Sequence, residues 1–285
     1  MNEIKKKEDY VKILNRLFWG LLLMFINLSF SITILNVSYS IAFTYFAGAI
    51  LILTTLWKYM NSSKTIKIFC FVLLGCLALG VLSFFSPLFT SNATLASLEN
   101  IKQIVLQETA TPEDLNALVY EILNLKSASL LSSVLFLATS ALPLGTTIYF
   151  SGLLVKEIAD SYKLSLGTKA KGDSILSVVF LALSGILSFV VVLSLFNVID
   201  KVRFDSQGVV LKPDFSGAVA SLSLSALVVI PVSIAYLVFI IKLLSDINKV
   251  KMSVSLTKED DNVIDVDSSY TYSDDSNSNK NDEKE

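Results

Sequence analysis

The chain has 285 residues, of which 53% are hydrophobic and 17% charged, and its formal net charge is −2. It contains no histidine, which excludes Ser–His and Cys–His nucleophile pairs. No glycine-rich Walker loop occurs, and acidic residues cluster only near the C-terminus. We therefore expect a non-enzymatic protein without a cofactor or a bound metal.

Six long apolar runs follow one another along the chain. A helix needs about 20 apolar residues to cross a hydrocarbon core of about 30 Å, and it satisfies its backbone polar groups internally. The sequence therefore predicts an all-α integral membrane protein, a six-transmembrane-helix bundle within residues 17–244. The predicted spans cover about residues 17–35, 39–57, 65–85, 130–155, 174–199 and 217–244.

Lysine and arginine residues flank these runs unevenly. Basic residues are frequent in 1–16, 58–67, 156–171 and 242–251, and they are scarcer in the alternate connections 36–38, 86–129 and 200–216. Basic flanks mark the cytoplasmic side of a membrane. The sequence thus predicts a multi-pass protein of a cell membrane with both termini cytoplasmic, and we expect 17–35 to be retained as a span rather than cleaved as a signal peptide. The lysine-rich, histidine-free composition suggests a bacterial source.

The two longer outer loops carry signals of local structure. In 86–129, Thr111 and Pro112 are typical of a helix start, and apolar residues at helical spacing predict helices near 95–107 and 112–126. In 200–216, two apolar stretches flank a turn-forming Asp–Ser–Gln–Gly sequence and predict a β-hairpin. We expect the helical hairpin and the β-hairpin to form a small extracytoplasmic cap.

Small and hydroxyl residues at regular spacing mark candidate helix-packing seams, because lipid is as apolar as leucine and close packing needs small side chains. The same positions could alternatively form a homodimer contact or a face that lines a solute path. The candidate packing residues are Gly217, Ser221, Ser225, Ser184, Ser188, Thr44 and Gly48.

One stretch of the fourth span interrupts the apolar pattern with a proline, a glycine and several hydroxyl residues. Such a stretch is compatible with a broken helix that exposes backbone groups to a cavity, or with a kinked helix whose hydroxyls bond to their own backbone. The candidate helix-break or solute-lining residues are Thr139, Ser140, Pro143, Gly145, Thr146 and Thr147.

Ionisable side chains are missing from the middle of every predicted span, which argues against proton-coupled transport and voltage sensing. Residues 245–285 are predicted to be an acidic, disordered cytoplasmic tail. The tail contains the short apolar-acidic stretch 263–267, which would suit docking on a partner or would simply be solvated.

Two functional hypotheses follow from this pattern. The first is a protein that acts through protein–protein interaction, as an accessory subunit, a sensor or signalling partner, or an immunity-type factor. Its partners would be the lipid bilayer and a membrane or cytoplasmic protein, with a homo-oligomer possible and no nucleic acid. The alternative is a transporter or channel component for a small neutral or apolar solute.

Overall fold

The computed structural model describes residues 7–26, 28–34, 37–105, 112–199, 203–204, 210–211 and 216–257. Within them the chain is mainly helical. The helices are α1 (Lys7–Ile26), α2 (Phe43–Trp57), α3 (Lys64–Val105), α4 (Pro112–Phe136), α5 (Leu142–Ser161), α6 (Leu166–Ile199) and α7 (Ser216–Leu256), and a π-helical turn, Leu137–Ala141, joins α4 to α5. The strands are β1 (Phe30–Ile34), β2 (Val37–Ile41), β3 (Arg203–Phe204) and β4 (Val210–Leu211).

Four helical segments in the described part are long and apolar enough to cross a membrane. They are Lys64–Leu82, Tyr120–Ser161, Leu166–Val191 and Leu227–Leu256, and α2 is a shorter apolar helix. These segments fit the predicted class of helical membrane protein. They overlap the third to sixth predicted spans.

The first two predicted spans are wrong in their outer parts. Helix α1 begins at Lys7, before the predicted start at residue 17, and ends at Ile26; β1 and β2 then pair antiparallel from Phe30↔Ile41 to Ile34↔Val37. The cause is visible in the sequence, because apolar residues alternate with serine or threonine in both 30–34 and 37–41. That alternation is the period of a strand, not of a helix.

The predicted helices of the first outer loop are not separate elements. Helix α3 is continuous for 42 residues and ends at Val105, so it includes the described part of the predicted 95–107 helix, and α4 begins at Pro112 as the capping pattern indicates. The side-chain amide of Asn100 donates a 2.7 Å hydrogen bond to Glu121 across this helix pair. The loop is therefore an extension of α3 and α4 beyond the predicted span bounds.

Two further predictions concern residues after α6. Strands β3 and β4 pair antiparallel with Arg203 opposite Leu211, at the place where the sequence predicts a β-hairpin. The disordered tail was predicted to start at residue 245, but α7 continues to Leu256. Residues 258–285 lie outside the described part of the chain.

The best-packed part of the bundle is the end at which α1 begins and α7 ends. Large side chains such as Leu17, Phe69, Ile158 and Ile247 are almost fully buried there, and the rings of Phe69 and Phe150 stack with centroids 5.8 Å apart. Toward the other end, large apolar side chains on α3, α6 and α7 are exposed. Exposed apolar surface on long helices is what contact with lipid requires.

Candidate functional site

The joint between α4 and α5 is irregular because of Pro143. Proline has no backbone N–H, so the carbonyl four residues earlier, that of Thr139, loses its usual helical donor. The helix adopts a π-helical turn at Leu137–Ala141. Such wider turns often occur at functional sites. The hydroxyl of Thr139 donates a 2.7 Å hydrogen bond to the carbonyl of Leu135. The irregular turn overlaps the start of the stretch 139–147 that the sequence singled out.

A cavity of about 610 Å³ lies beside this turn. Residues of all seven helices, α1 to α7, contribute to its wall, so it lies between helices and not on one helix. The volume is within the usual range of about 300–1,000 Å³ for sites that hold small molecules. The lining residues are Met24, Phe25, Ala42, Tyr45, Phe46, Gly80, Ser132, Ser133, Leu137, Thr139, Ser140, Ala141, Leu144, Leu181, Ser184, Gly185, Ser188, Phe189 and Tyr236.

Within the described residues, the wall of the cavity carries no charged side chain and is mixed in polarity. Aromatic and aliphatic side chains make up most of it, and eight of its residues carry a hydroxyl group. A wall of this kind solvates uncharged molecules far better than ions, because an unpaired charge is very costly to bury.

Two tyrosine hydroxyls in the wall have no hydrogen-bond partner in the described part of the chain. They belong to Tyr45, which is 8% exposed, and to Tyr236. The thiol of Cys76 interacts with the hydroxyl of Tyr45, but a thiol is a weak hydrogen-bonding group. An unpaired buried hydroxyl costs about 1–3 kcal/mol. Less than 1 Å² of each hydroxyl is accessible, so other atoms of the two tyrosines form the cavity wall.

The predicted helix-break residues divide between the cavity and the packed side of α5. Thr139 and Ser140 line the cavity. Thr146 and Thr147 each donate a 2.9 Å hydrogen bond to the carbonyl of Pro143, which therefore does not face a cavity unpaired. The Cys76 thiol also lies 3.5 Å from this carbonyl.

Gly145, the remaining candidate of that group, belongs to the contact between α5 and α6. A Cβ at this position would lie 3.6 Å from Leu181 and 3.8 Å from Val178, which is ordinary van der Waals contact. Pro143 itself is buried. Residues 139–140 thus lie at the cavity, whereas the hydroxyls of residues 146–147 bond to the backbone of their own helix. Exposure of backbone groups to a solute stays a prediction.

Two of the candidate packing residues lie between α1 and α2. A Cβ at Gly48 would overlap the carbonyl oxygen of Gly20, so the two backbones touch at this crossing. The hydroxyl of Thr44 accepts a 2.7 Å hydrogen bond from the N–H of Leu28, which fixes the chain between α1 and β1 to the start of α2. Gly20 was not singled out from the sequence, because it is the only glycine in its span.

Ser184 and Ser188 lie on α6 and also line the cavity. The hydroxyl of Ser184 is 3.2 Å from that of Ser233 on α7, and Ser188 donates to the carbonyl of Ser184. The other three candidate packing residues, Gly217, Ser221 and Ser225, are in the helical backbone of α7, but their side chains lie outside the described part.

Sequence reasoning missed the two tyrosines. Tyr45 and Tyr236 stand in apolar runs and count as hydrophobic in composition, so a hydropathy pattern does not distinguish them from Phe or Leu. The available signal was a phenol hydroxyl within a predicted span, which needs a partner when it is buried. Only the fold shows that both tyrosines reach the same cavity.

The buried carboxyl of Asp246 was also missed. Asp246 is 7% exposed, and its carboxyl group lies 3.8 Å from the amine of Lys249. It also shares a hydrogen bond with the carboxyl group of Asp173 on α6, which requires a proton on one of the two because a carboxylate only accepts. Asp246 is absent from the predicted bounds 217–244 but falls in the longer apolar segment Leu227–Leu256. It lies about 15 Å along α7 from Tyr236 and does not line the cavity.

Comparison with known proteins adds no identity. No protein-family model matches the chain, and no curated protein or solved structure is significantly similar to it. In the described part, no group of three or more Cys, Asp or Glu side chains could hold a metal ion. The cavity is therefore the strongest candidate site on structural grounds.

Proposed function

We propose that this protein binds a small, uncharged or apolar solute within its helical bundle, as a component of a transporter or channel. The cavity of about 610 Å³ beside the π-helical turn, whose described lining residues are all uncharged, carries this proposal. The cavity is partly open to its surroundings, so a small molecule could enter it without the helices first separating.

The position of the cavity along the helices suits a site inside the bilayer. In three helices about 13 residues, or roughly 20 Å, separate a lysine at the well-packed end from a cavity residue. These pairs are Lys58 and Tyr45, Lys67 and Gly80, and Lys171 and Ser184. In a hydrocarbon core of about 30 Å, the cavity would lie beyond the midplane, toward the outer side.

The proposed topology has six crossings, both termini cytoplasmic, and a bacterial cell membrane as the location. Contacts at the well-packed end support an even number of crossings. The amine of Lys7 bonds to the carbonyl of Thr257, so α1 begins and α7 ends at the same end of the bundle. The rings of Tyr10 and Tyr162 have their centroids 5.8 Å apart, so the connection between α5 and α6 lies at the same end of the bundle. The opposite end would carry the proposed extracytoplasmic cap.

The interaction hypothesis remains a proposal of a different class. It depends on the cap and on the acidic tail, and residues 258–285 lie outside the described part. Removal of 258–285 tests it, since an unchanged complex size in native membranes would contradict a docking role for the tail. The cavity is the observation that favours solute binding over this hypothesis.

Photoaffinity labelling tests the proposed function. The protein in lipid nanodiscs is irradiated with 3-azioctanol, an uncharged alkyl alcohol that carries a diazirine, and adducts are mapped by mass spectrometry. We expect saturable labelling of cavity residues that excess 1-octanol suppresses. Labelling that rises linearly with probe concentration, and only on lipid-facing residues, would contradict the proposal.

Two glycines of α3 provide a matched pair of variants. A Cβ at Gly80 would lie 2.9 Å from the ring of Phe46 in the cavity wall, whereas a Cβ at Gly75 would meet no described atom within 4 Å. Gly80→Leu should therefore fill the cavity and abolish the saturable labelling. Gly75→Leu adds the same side chain to the same helix and should leave the labelling unchanged.

A further inference from the structure

A second recess lies at the well-packed end of the bundle, between the start of α1 and the end of α7. It has a volume of about 710 Å³, and three lysines, Lys7, Lys12 and Lys251, line it together with one carboxylate, that of Glu8. We call it the basic cleft. None of its lining residues lines the cavity beside the π-helical turn, so the two spaces are separate.

Helix geometry and two hydrogen bonds bring the lysines of α1 and α7 together. Lys7 and Asn15 are eight residues apart on α1, so they lie along one face of that helix. The amine of Lys7 donates to the carbonyl of Thr257, and the amine of Lys251 donates a 3.3 Å hydrogen bond to the side-chain oxygen of Asn15. Asn15 is three residues from Lys12, about one turn. Charges from the first and last helices therefore meet in one cleft.

The described wall of the basic cleft carries a net positive charge. Three amines stand against the single carboxylate of Glu8, which is exposed, and no lysine of the cleft has an ion-pair partner within the described residues. Each ammonium has three donors, of which Lys7 and Lys251 use one each in the bonds to Thr257 and Asn15. Spare donors and uncompensated positive charge suit an oxygen-rich anion such as a phosphate group.

In the proposed topology the basic cleft lies at the level of the lipid headgroups. Lys12 is five residues, about 8 Å, before residue 17, the predicted start of the first span. Lys251 is seven residues, about 10 Å, after residue 244, the predicted end of the last span. The headgroup region extends about 5–8 Å beyond the hydrocarbon core on each side, and lysine side chains are long enough to reach it.

Exposed apolar side chains beside the lysines favour a lipid over a soluble anion. Leu256 in the wall of the cleft is 80% exposed, and Met252, about one turn earlier on α7, is 54% exposed. A soluble phosphate would leave both side chains in water. A phospholipid would cover them with its glycerol and upper acyl carbons, which removes apolar surface from water.

We propose that the basic cleft binds the headgroup of an anionic phospholipid, which the lysines of α1 and α7 attract. Basic pockets between helices on the cytoplasmic side of a membrane suit such headgroups. A lipid bound there would contact the first and last helices of the bundle and stabilise their contact. The site does not depend on the solute cavity, and it adds a ligand of a different class.

Native mass spectrometry tests the proposal by measuring which lipid the protein retains. The full-length protein in detergent is titrated with phosphatidylglycerol, or with phosphatidylcholine that has the same acyl chains. We expect the first phosphatidylglycerol to bind at least about fivefold more tightly. It should also raise the unfolding temperature, because a ligand of the folded state stabilises that state. Equal retention of the two lipids would overturn the proposal.

Two double variants separate the cleft from general attraction between lysines and anionic lipid. Lys12→Gln/Lys251→Gln should remove most of the preference for phosphatidylglycerol. Lys64→Gln/Lys67→Gln removes the same charge from exposed positions of α3 at the same end of the bundle, outside the cleft, and should keep the preference. Lys12→Arg/Lys251→Arg retains both charges and should keep it too. An equal loss in the two glutamine variants would overturn the proposal.

Two other occupants of the cleft would give different results. Glu259, Asp260 and Asp261 follow the end of α7 in the sequence. Glu259→Gln/Asp260→Asn/Asp261→Asn should leave the retention of phosphatidylglycerol unchanged, whereas a severalfold rise would assign the cleft to this acidic segment. Excess inorganic phosphate at constant ionic strength should displace little of the lipid, and complete displacement would assign the cleft to a soluble anion. None of these outcomes depends on the labelling of the solute cavity, so the two proposals fail separately.

Discussion

The hydroxyl of Tyr59 donates a 2.6 Å hydrogen bond to the carboxylate of Asp9. Tyr59 lies in the turn between α2 and α3, and Asp9 lies in the first turns of α1, so the bond joins two parts of the well-packed end that are 50 residues apart. The tyrosine side chain is 6% exposed. A hydrogen bond to a charged group at a shielded position is stronger than an ordinary surface contact.

Tyr59→Phe should destabilise the protein by about 1–2 kcal/mol, because it removes this bond and leaves the carboxylate of Asp9 with one partner fewer. Thermal unfolding in detergent micelles measures the change. Tyr149→Phe serves as the control on a more exposed tyrosine and should shift the unfolding temperature much less. Equal shifts in the two variants would show that the bond to Asp9 adds nothing.

The same bond predicts a dependence of stability on alkaline pH. The hydrogen bond to Asp9 raises the pKa of Tyr59 from 10.0 to about 12, with burial and the charge of Asp9 acting in the same direction. A group whose pKa is raised by folding contributes stability that is complete below its unfolded pKa and is lost as pH passes the folded value. The wild-type protein should therefore lose more stability between about pH 10 and pH 12 than Tyr59→Phe. Parallel pH profiles for the two proteins would contradict this.

Helices α1 and α2 cross closely at Gly20 and Gly48, so we expect one added methyl group there to lower the stability of the protein. A Cβ at Gly48 would overlap backbone and not only a flexible side chain, so the helices must separate. Gly48→Ala should cost about 1–3 kcal/mol of stability. Gly75→Ala, on the open side of α3, should be neutral or slightly stabilising because alanine favours helix. A neutral Gly48→Ala in thermal unfolding would show that the helices do not cross so closely.

Cysteine accessibility tests the proposed topology. Cys70 and Cys76 are both buried and unpaired, so they should react little with a membrane-impermeant maleimide and need not be replaced. Asn61→Cys, in the α2–α3 connection, and Ser161→Cys, at the end of α5, should be labelled only from the cytoplasmic side. Gln207→Cys, in the predicted outer loop, should be labelled only from the opposite side. Labelling of all three from one side would exclude the six-crossing arrangement.

The sequence predicted the helical membrane class because long uncharged runs leave few alternatives. It did not predict the hairpin of β1 and β2, although the alternation in 30–41 was present, because mean hydropathy hides alternation when the polar residues are serine and threonine. The predicted start of the first span and end of the last span also differ from the ends of α1 and α7. Lysine and serine near the ends of α1 and α7 do not interrupt a helix that has left the hydrocarbon core.

The candidate site was predicted only where one short stretch of sequence carried the signal. Proline and hydroxyl residues in 139–147 pointed to an irregular helix, and the π-helical turn overlaps the start of that stretch. Tyr45 and Tyr236 are 191 residues apart, and their shared cavity depends on how seven helices pack. Periodicity within one helix contains no information about that packing.

The irregular turn before Pro143 leads to a last prediction, on the shape of the cavity. Pro143→Ala supplies the missing N–H, so the chain can continue α-helical hydrogen bonds through residues 137–141. This change would rotate Thr139 and Ser140 relative to the rest of the wall. We expect labelling of the cavity by 3-azioctanol to fall at least about fivefold, with stability unchanged or higher since alanine is the better helix former.

Substitution of Pro231 is the control for the general effect of removing a proline from a helix. It stands inside α7 and is exposed, and it does not line the cavity. Pro231→Ala should leave the labelling at its wild-type level. If Pro143→Ala also leaves it there, the cavity does not depend on the π-helical turn, and its shape is set by the packing of the surrounding helices alone. A loss of labelling confined to Pro143→Ala would tie the turn to the site, because only that substitution restores a hydrogen bond in the cavity wall.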